Sequence, residues 1–377
     1  MIGVGGSAGG LDMRLLDLTA LWDGTVTAAT STMMTIDEGG GFTAHFAGQG
    51  VTYNALGEPT AGTITGISED FLGITTFSLT DVNTSATQFY SWVAHGQSQT
   101  ATTTMLAGND MLTGTSFDDY LMGLDGHDVL AGGAGADTLM GGEGNDHLYG
   151  QSNSGGVDGA DSLSGGNGSD YLQGNAGNDT LDGGAGSDRL NGGGGNDLIM
   201  GGAGNDAANG NLGDDTIQGG DGMDALRGGQ GNDSISGGAD NDVINGDLGD
   251  DTINGDAGDN VLTGGAGHDV FMFFPDLITL VSSHADVITD YESGTDHLSV
   301  PYMSWMKIMD GGEVTVSIPL MKLNASFPGT IGPDQYSVAV YHEGGDTYVL
   351  WEGRGSSSFD HCAILRGEHT ITAADFI

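Results

Sequence analysis

The sequence predicts an all-β protein with a right-handed parallel β-roll at its centre, flanked by a small N-terminal β domain and a C-terminal β cap. Three observations predict this fold class. A nine-residue unit repeats through the middle of the chain, glycine accounts for 72 of the 377 residues, and the flanking segments alternate polar with apolar residues. A short fixed repeat indicates a solenoid, because one unit cannot bury its apolar side chain alone and must stack on its neighbours.

The repeat extends from Met105 to Met272 and has the form Gly-Gly-x-Gly-x-Asp-x-U-x, in which U is a large apolar residue. The segment GGAGADTLM at 132–140 is a clear copy. About eighteen copies align, some of them degenerate, and an insertion at 150–155 interrupts the series. Each unit divides into a turn and a short strand. Two units complete one turn of the roll, so each unit is expected to stack on the second unit after it, at a strand spacing of about 4.8 Å.

The eighth position of the unit predicts the interior of the roll. One apolar side chain in nine residues makes a thin core, so we expect another source of stability. Ala208 breaks the pattern of large apolar residues. The predicted inward residues are Leu121, Leu130, Leu139, Leu148, Leu163, Leu172, Leu181, Leu190, Ile199, Ile217, Leu226, Ile235, Ile244, Ile253, Leu262 and Phe271.

The turn of each unit predicts a calcium site. Glycines allow the turn to curl so that carbonyl oxygens point inward, and the aspartate at the sixth position adds a carboxylate. Oxygen ligands suit Ca²⁺, whereas Zn²⁺ requires histidine or cysteine, of which the turns offer little. One ion for each stacked pair gives roughly 11 to 16 ions. The predicted metal ligands are Asp119, Asp128, Asp137, Asp146, Asp161, Asp170, Asp179, Asp188, Asp197, Asp206, Asp215, Asp224, Asp233, Asp242, Asp251 and Asp269.

Two further departures from the repeat predict weaker sites. Asn260 replaces the sixth-position aspartate and Asp240 replaces the third glycine. Two other interpretations of the glycine-rich segment are disfavoured. A disordered linker would not keep aspartate and leucine or isoleucine in phase over so many units. The Gly-x-Gly-x-x-Gly matches arise from the repeat itself and lack the strand and helix of a dinucleotide-binding unit.

The charge balance restricts the partners. The chain has 52 acidic residues against 7 lysines and arginines, a net charge of −45. Such a chain repels nucleic acids and anionic membranes, and it repels itself unless cations neutralise it. Cys362 is the sole cysteine of the sequence, which excludes an intrachain disulfide. No apolar run predicts a membrane span. Met1–Leu16 lacks the pattern of a cleavable signal peptide, so export is expected to use another secretion signal.

The composition divides the chain into three predicted domains: 1–104, the repeats at 105–272, and 273–377. The first alternates apolar and polar residues at 42–46 and 62–67, which predicts short antiparallel strands. In the third, glycine becomes less frequent, aromatic residues return, and strands are predicted at 314–318, 336–342 and 346–351.

These repeats resemble those of the repeats-in-toxin (RTX), or hemolysin-type, family of calcium-binding proteins. Segments 286–296, 345–349 and 365–377 are similar to the cap and tail of that family, although Pro301–Ile318 is more hydrophobic than such a cap. The resemblance implies an uncleaved C-terminal signal for type I secretion, the secretion machinery as a partner, and an extracellular or cell-surface location. It also implies a roll that stays unfolded where calcium is scarce and folds outside the cell.

No catalytic motif is present: the sequence lacks His-Glu-x-x-His and Gly-x-Ser-x-Gly, and His45, His95 and His342 are scattered. We therefore expect a non-enzymatic matrix, surface-layer or adhesion component. Two alternatives stay open. One is a module in which the N-terminal domain binds carbohydrate or another surface through Trp22, Trp92 or Tyr53, with a cell-surface glycan or a second copy as partner. The other is a small secreted hydrolase or lyase with an unrecognised site.

Overall fold

In the computed structural model, the described residues are 25–29, 33–39, 42–53, 59–71, 74–85, 108–114, 116–151, 158–273, 285–299, 306–310, 336–343, 345–351, 361–367, 369 and 375. Within these residues the protein consists of β-strands and turns, without an α-helix. The chain divides into two compact units, Met1–Gly195 and Asn196–Ile377. The predicted boundaries after residues 104 and 272 stay predictions.

The first unit begins with a meander of five antiparallel strands, each paired with the next. The alternating segments 42–46 and 62–67 lie in its third and fourth strands. Its last strand pairs antiparallel with the first strand of the repeats through Leu79 and Leu112, so the meander and the roll share one sheet. The strands are β1 (Thr25–Ala29), β2 (Met33–Gly39), β3 (Phe42–Tyr53), β4 (Pro59–Phe71) and β5 (Ile74–Ser85).

The repeats of the first unit form a parallel β-roll, as predicted. Strands from alternate repeats pair in parallel, so β6, β8, β10, β12 and β14 build one sheet and β7, β9, β11 and β13 build the other. Equivalent positions face each other, for example Leu121 and Leu139. The strands are β6 (Met111–Thr113), β7 (Tyr120–Asp125), β8 (Val129–Gly133), β9 (Thr138–Glu143), β10 (His147–Gln151), β11 (Ser162–Asn167), β12 (Tyr171–Ala176), β13 (Thr180–Ala185) and β14 (Arg189–Gly194).

The second unit repeats this architecture and adds one strand to each sheet after the repeats end. The odd-numbered strands β15 to β25 form one parallel sheet, and the even-numbered strands β16 to β24 form the other. The strands are β15 (Leu198–Ala203), β16 (Ala207–Leu212), β17 (Thr216–Asp221), β18 (Ala225–Gln230), β19 (Ser234–Ala239), β20 (Val243–Leu248), β21 (Thr252–Ala257), β22 (Val261–Ala266), β23 (Val270–Met272), β24 (Ala285–Ile288) and β25 (His297–Ser299).

A small C-terminal sheet joins the end of the second unit. It consists of β26 (Met306–Asp310), β27 (Tyr336–Glu343), β28 (Asp346–Trp351) and β29 (His361–Leu365), and β29 pairs in parallel with β24. The strands predicted at 336–342 and 346–351 are confirmed. The predicted strand at 314–318 lies outside the described residues, as does most of Pro301–Ile318.

Each repeat places its eighth residue in the interior, which confirms the predicted core. All sixteen predicted inward residues are at most 3% exposed, and Ala208 is 4% exposed. The pattern follows from the strand geometry, because successive side chains point to opposite faces, and the six-residue strand of most repeats turns its eighth residue and the first glycine of the next repeat inward, as Leu139 and Gly141 of β9 show. With one such apolar residue in each nine-residue repeat, the free energy gained by burying apolar surface is small relative to the conformational entropy lost on folding.

The interruption of the repeats lies slightly later than predicted. Gly150 packs against Asp161 and the Gly174 carbonyl, as the first glycine of an uninterrupted unit does against its own aspartate. Strand β10 also continues to Gln151, which pairs with Gly133. The six extra residues are therefore 152–157, not 150–155. The sequence did not decide between the two because Gly150 and Gly156 both fit the first position of the unit.

Candidate metal centre

The predicted aspartates stack into columns along the edges of the roll. Each of the sixteen is buried, with 0% to 3% of its surface exposed. In the first unit, Asp110, Asp128, Asp146, Asp170 and Asp188 form one column and Asp119, Asp137, Asp161 and Asp179 form the other. In the second unit, the columns are Asp206, Asp224, Asp242, Asn260 and Asp286, and Asp197, Asp215, Asp233, Asp251, Asp269 and Asp296.

One hydrogen bond repeats along every column. The backbone N–H of each aspartate donates to Oδ1 of the aspartate one turn later; the Asp128 N–H, for example, lies 2.8 Å from Asp146 Oδ1. This bond orients the carboxylate and uses one of its two oxygens. Residues at the fifth position of the unit form a second set of hydrogen bonds between stacked turns, and these bonds run in the opposite direction. There the later residue donates, as from the Asp250 N–H to Asn232 Oδ1 at 2.8 Å.

The second carboxylate oxygen lacks a hydrogen-bond partner in many of these turns. A buried acceptor without a partner is costly, more so when it carries a negative charge. Each of these oxygens exposes less than 1 Å² to solvent, so bulk water does not reach it. The atoms are Oδ2 of Asp128, Asp137, Asp146, Asp161, Asp170, Asp215, Asp224, Asp233, Asp242 and Asp251.

Backbone carbonyl oxygens converge near these Oδ2 atoms. A methyl group built on Gly132 would overlap Asp137 Oδ2 and would lie 2.6 Å from the carbonyl oxygen of Gly150. The first glycine of the following unit, Gly141, shows the same arrangement with Asp146 and the carbonyl of Gly165. Glycine at this position therefore keeps a cradle of oxygen atoms open that any side chain would fill.

The electrostatics of the columns favour a bound cation. Burial is the main cause that raises the pKa of Asp161 to about 8, and the charges of Asp137 and Asp179 contribute to this increase. Burial is also the main cause that raises the pKa of Asp137 and Asp242 to about 7. A stack of buried carboxylates at neutral pH must therefore bind protons or a compensating cation.

The donor set fits calcium. Carboxylate and carbonyl oxygens line the cradles beside Gly132 and Gly141, and Ca²⁺ accepts six to eight oxygens, including backbone carbonyls. Among the described residues, no group of three or more His, Cys, Asp or Glu side chains converges on one point. A metal at these turns would therefore take most of its ligands from the main chain, as the curl of the glycine-rich turns allows, and not from a side-chain cluster of the kind that binds zinc.

The columns contain three aspartates that the sequence did not single out as ligands. Asp110 lies in the first repeat and begins a column, since its N–H donates to Asp128 Oδ1. Asp286 and Asp296 extend the second unit's columns beyond the last repeat, accepting from the N–H groups of Asn260 and Asp269 at 3.1 and 3.2 Å. The available signal was Asp-x-apolar, in Asp-Val-Ile at 286–288 and Asp-His-Leu at 296–298, which matches the end of the repeat without its glycines.

The three irregular repeats keep the fold. Ala208 occupies the interior position, and Asp240 adopts the left-handed conformation of the glycine that it replaces, with φ of 74°. Asn260 keeps the column bond, because its Oδ1 accepts from the Asp242 N–H at 2.9 Å. Whether these turns bind calcium more weakly stays a prediction.

The comparisons with known proteins agree with this geometry. The family model of the RTX calcium-binding nonapeptide repeat matches residues 106–139, 132–153, 155–190, 182–217, 218–253 and 245–272. No curated protein matches the chain. In the part of the chain that the structure describes, no helix is long and apolar enough to cross a membrane.

Proposed function

We propose that this chain, which carries RTX calcium-binding repeats over residues 106–272, is a secreted, non-enzymatic protein whose roll folds when calcium fills its turns outside the cell. RTX nonapeptide repeats bind Ca²⁺ in multiple sites. The folded roll would then serve as a matrix, surface-layer or adhesion component. The ligands would be the sixteen predicted aspartates, together with carbonyl oxygens of the glycine-rich turns.

The observation that carries the proposal is the set of buried Oδ2 atoms without a hydrogen-bond partner. Their arrangement stabilises the fold only if a cation compensates them, since the carboxylates repel each other and the core is thin. A bound Ca²⁺ supplies positive charge and completes the oxygen coordination. At a calcium concentration ten times its Kd, one site stabilises the folded state by about 1.4 kcal/mol. Many sites together therefore couple folding to the calcium concentration.

Export through a C-terminal signal is part of the same proposal. RTX repeat proteins are typically secreted. Asp375 is buried, and its Oδ1 accepts from the Ser293 hydroxyl at 3.0 Å and the Gly294 N–H at 3.1 Å. The tail would therefore be bound by the type I secretion machinery before the cap folds over it, in a compartment with little calcium. Deletion of Asp375–Ile377 is expected to reduce export, and wild-type levels in the medium would contradict this part of the proposal.

Circular dichroism and small-angle scattering of the full chain, titrated with calcium and then with EGTA, test the proposal. We expect a cooperative gain of β signal and compaction on adding calcium, reversed by the chelator. A β signal that is unchanged in EGTA at neutral pH would contradict the coupling of folding to calcium. The non-enzymatic part is tested on panels of polysaccharide, ester and peptide substrates, where any turnover by the calcium-loaded protein would contradict it.

Glycan binding is a second candidate function, favoured by an aromatic cluster on the outer face of the roll. The rings of His147, Tyr149 and Tyr171 lie 5.7 to 6.5 Å apart. The Tyr171 hydroxyl donates to Gln173 Oε1 at 3.0 Å, and Tyr171 pairs across the sheet with Arg189, which is exposed. Aromatic faces pack against the apolar faces of sugar rings, and an arginine binds carboxylate. Of the residues that the sequence predicts for this role, Trp22 and Trp92 lie outside the described residues and Tyr53 ends β3.

Binding of an acidic oligosaccharide and a neutral one of equal length to the calcium-loaded protein tests this candidate. We expect Tyr171→Ala to weaken binding about tenfold, and Arg189→Gln to weaken binding of the acidic ligand alone. Thr180→Ala, on the opposite sheet, is the matched control and should change neither. Equal affinity in all four proteins would contradict glycan binding at this cluster.

A further inference from the structure

One turn of the second unit differs from its neighbours in the atom that it presents to the cradle. Asn260 is fully buried, and its side chain lies beside Gly255 as each aspartate lies beside the first glycine of its own unit. The atom nearest to that glycine is Nδ2, at 2.5 Å from a methyl group built on Gly255. At the equivalent place in the neighbouring units, beside Gly246 and Gly264, the atom is a carboxylate Oδ2.

The orientation of the Asn260 amide is fixed by its partners. The backbone N–H of Asp242 lies 2.9 Å from Oδ1, and this N–H can only donate. A flipped amide would place its NH₂ group against that N–H, so the oxygen must be on this side. The NH₂ group then faces the next turn, where Nδ2 donates to Asp286 Oδ1 at 2.9 Å. The Asn260 backbone N–H donates to the same oxygen at 3.1 Å.

With this arrangement no cation is needed to compensate repelling carboxylates. An amide NH₂ group carries partial positive charge and lacks a lone pair for Ca²⁺, which takes oxygen ligands. Two carboxylates at these successive positions of the column would repel each other. The other column shows this, because the charge of Asp296 helps to raise the pKa of Asp269. Here one carboxylate, Asp286, accepts from two N–H donors of Asn260 instead.

We propose that no calcium binds between Asn260 and Asp286, which are successive members of one column, and that the Asn260 amide replaces the ion. Hydrogen bonds would then attach the C-terminal cap to the roll without metal. Strand β24, which contains Asp286, is held beside Asn260 and β22 by Val287 N–H to the Asn260 carbonyl at 2.8 Å and Thr289 N–H to the Leu262 carbonyl at 2.9 Å. Strand β24 in turn pairs with β29 of the C-terminal sheet. The cap would thus be attached to the roll through β24 at calcium concentrations that leave the calcium sites between other turns empty.

The proposal deepens the proposed function and rests on calcium binding by the aspartate columns. Its test is the number of calcium ions bound by the full chain, measured by native mass spectrometry and equilibrium dialysis. Asn260→Asp restores the carboxylate and should bind one ion more than the wild type. Asp251→Asn, the matched change in the other column, should bind one ion fewer. Asp286→Asn removes the acceptor's charge and should leave the number unchanged.

Hydrogen exchange of segment 285–290 gives a second readout. In the wild type, protection of this segment should appear at a lower calcium concentration than in Asn260→Asp, by at least about threefold. Equal ion numbers in the wild type and Asn260→Asp, with equal midpoints for protection, would overturn the proposal while leaving calcium binding intact. Loss of an ion in Asp286→Asn would also overturn it. Absence of bound calcium in every variant would instead overturn the proposed function on which it rests.

Discussion

The backbone N–H of Asp137 donates to Asp161 Oδ1 at 2.8 Å across 24 residues, whereas the same bond joins Asp161 to Asp179 across 18. The other column shows the same difference, from Asp146 to Asp170 and from Asp170 to Asp188. The six extra residues therefore leave the columns and the register unchanged. They lie at 152–157, between the second and third positions of one unit.

Deletion of residues 152–157 should leave the roll intact. Joining Gln151 to Asp158 creates Gly-Gln-Asp-Gly-Ala-Asp-Ser-Leu-Ser, a regular unit with its aspartate at Asp161. Because a shorter connection between the same paired strands reduces the entropy lost on folding slightly, the melting temperature in calcium should be equal or slightly higher. The number of bound calcium ions should be unchanged. The control is deletion of 196–201, which removes the buried Asp197 and the inward Ile199 and should lower both the melting temperature and the number of bound calcium ions. Similar losses in both deletions would contradict the assigned register.

A methyl group at the first position of a unit should destabilise the calcium-bound roll. In Gly132→Ala it would meet the Asp137 carboxylate and the Gly150 carbonyl, so backbone and carboxylate must shift. We expect a loss of about 1–3 kcal/mol in the free energy of unfolding, and weaker calcium binding at that turn. Gly194→Ala is the control, because the nearest atom to its methyl is 3.9 Å away. Chemical denaturation in saturating calcium measures both, and equal stability would contradict the crowded cradle.

Acid should stabilise the calcium-free roll. Burial raises the pKa of Asp137 and Asp251 to about 7 and that of Asp161 to about 8, all far above their values in an unfolded chain. Between about pH 4 and 7 the folded roll therefore binds more protons than the unfolded chain, and its stability decreases as the pH rises. Calcium-stripped protein should show more β signal at pH 5 than at pH 8. A stronger signal at pH 8 would contradict this.

Protons and calcium should compete for the same carboxylates. At saturating calcium the roll should be folded at pH 8, because the ion compensates the charges that protons neutralise in acid. The calcium concentration at half-folding should consequently increase as the pH falls from 8 to 6. A half-folding concentration that stays constant over this range would indicate that the buried aspartates do not bind the ion.

The sequence was sufficient to predict the roll because every unit has the same nine positions. The period alone placed Leu121 in the core and Asp128 in a turn, and both are buried. Periodicity could not predict features that depend on how two turns meet. The Asn260 amide was recognised as a departure, but its bond to Asp286 joins residues 26 positions apart across a segment without repeats.

The pairing of β5 with β6 was also beyond the sequence. Alternation predicts that a segment forms a strand but not which strand it pairs with, and the pairing of Leu79 with Leu112 spans residues that carry no common pattern. The buried Oδ2 atoms without partners likewise emerge only from the stacking of turns, since the sequence shows that an aspartate is present but not which of its oxygens is satisfied.

The most direct test of calcium between the turns is an experimental crystal structure grown in calcium, with anomalous scattering used to locate the ions. We predict an ion beside each aspartate Oδ2 that lacks a hydrogen-bond partner, Asp137 and Asp233 among them, at about 2.3–2.6 Å. Empty cradles beside these oxygens, in protein crystallised from ample calcium, would contradict the account.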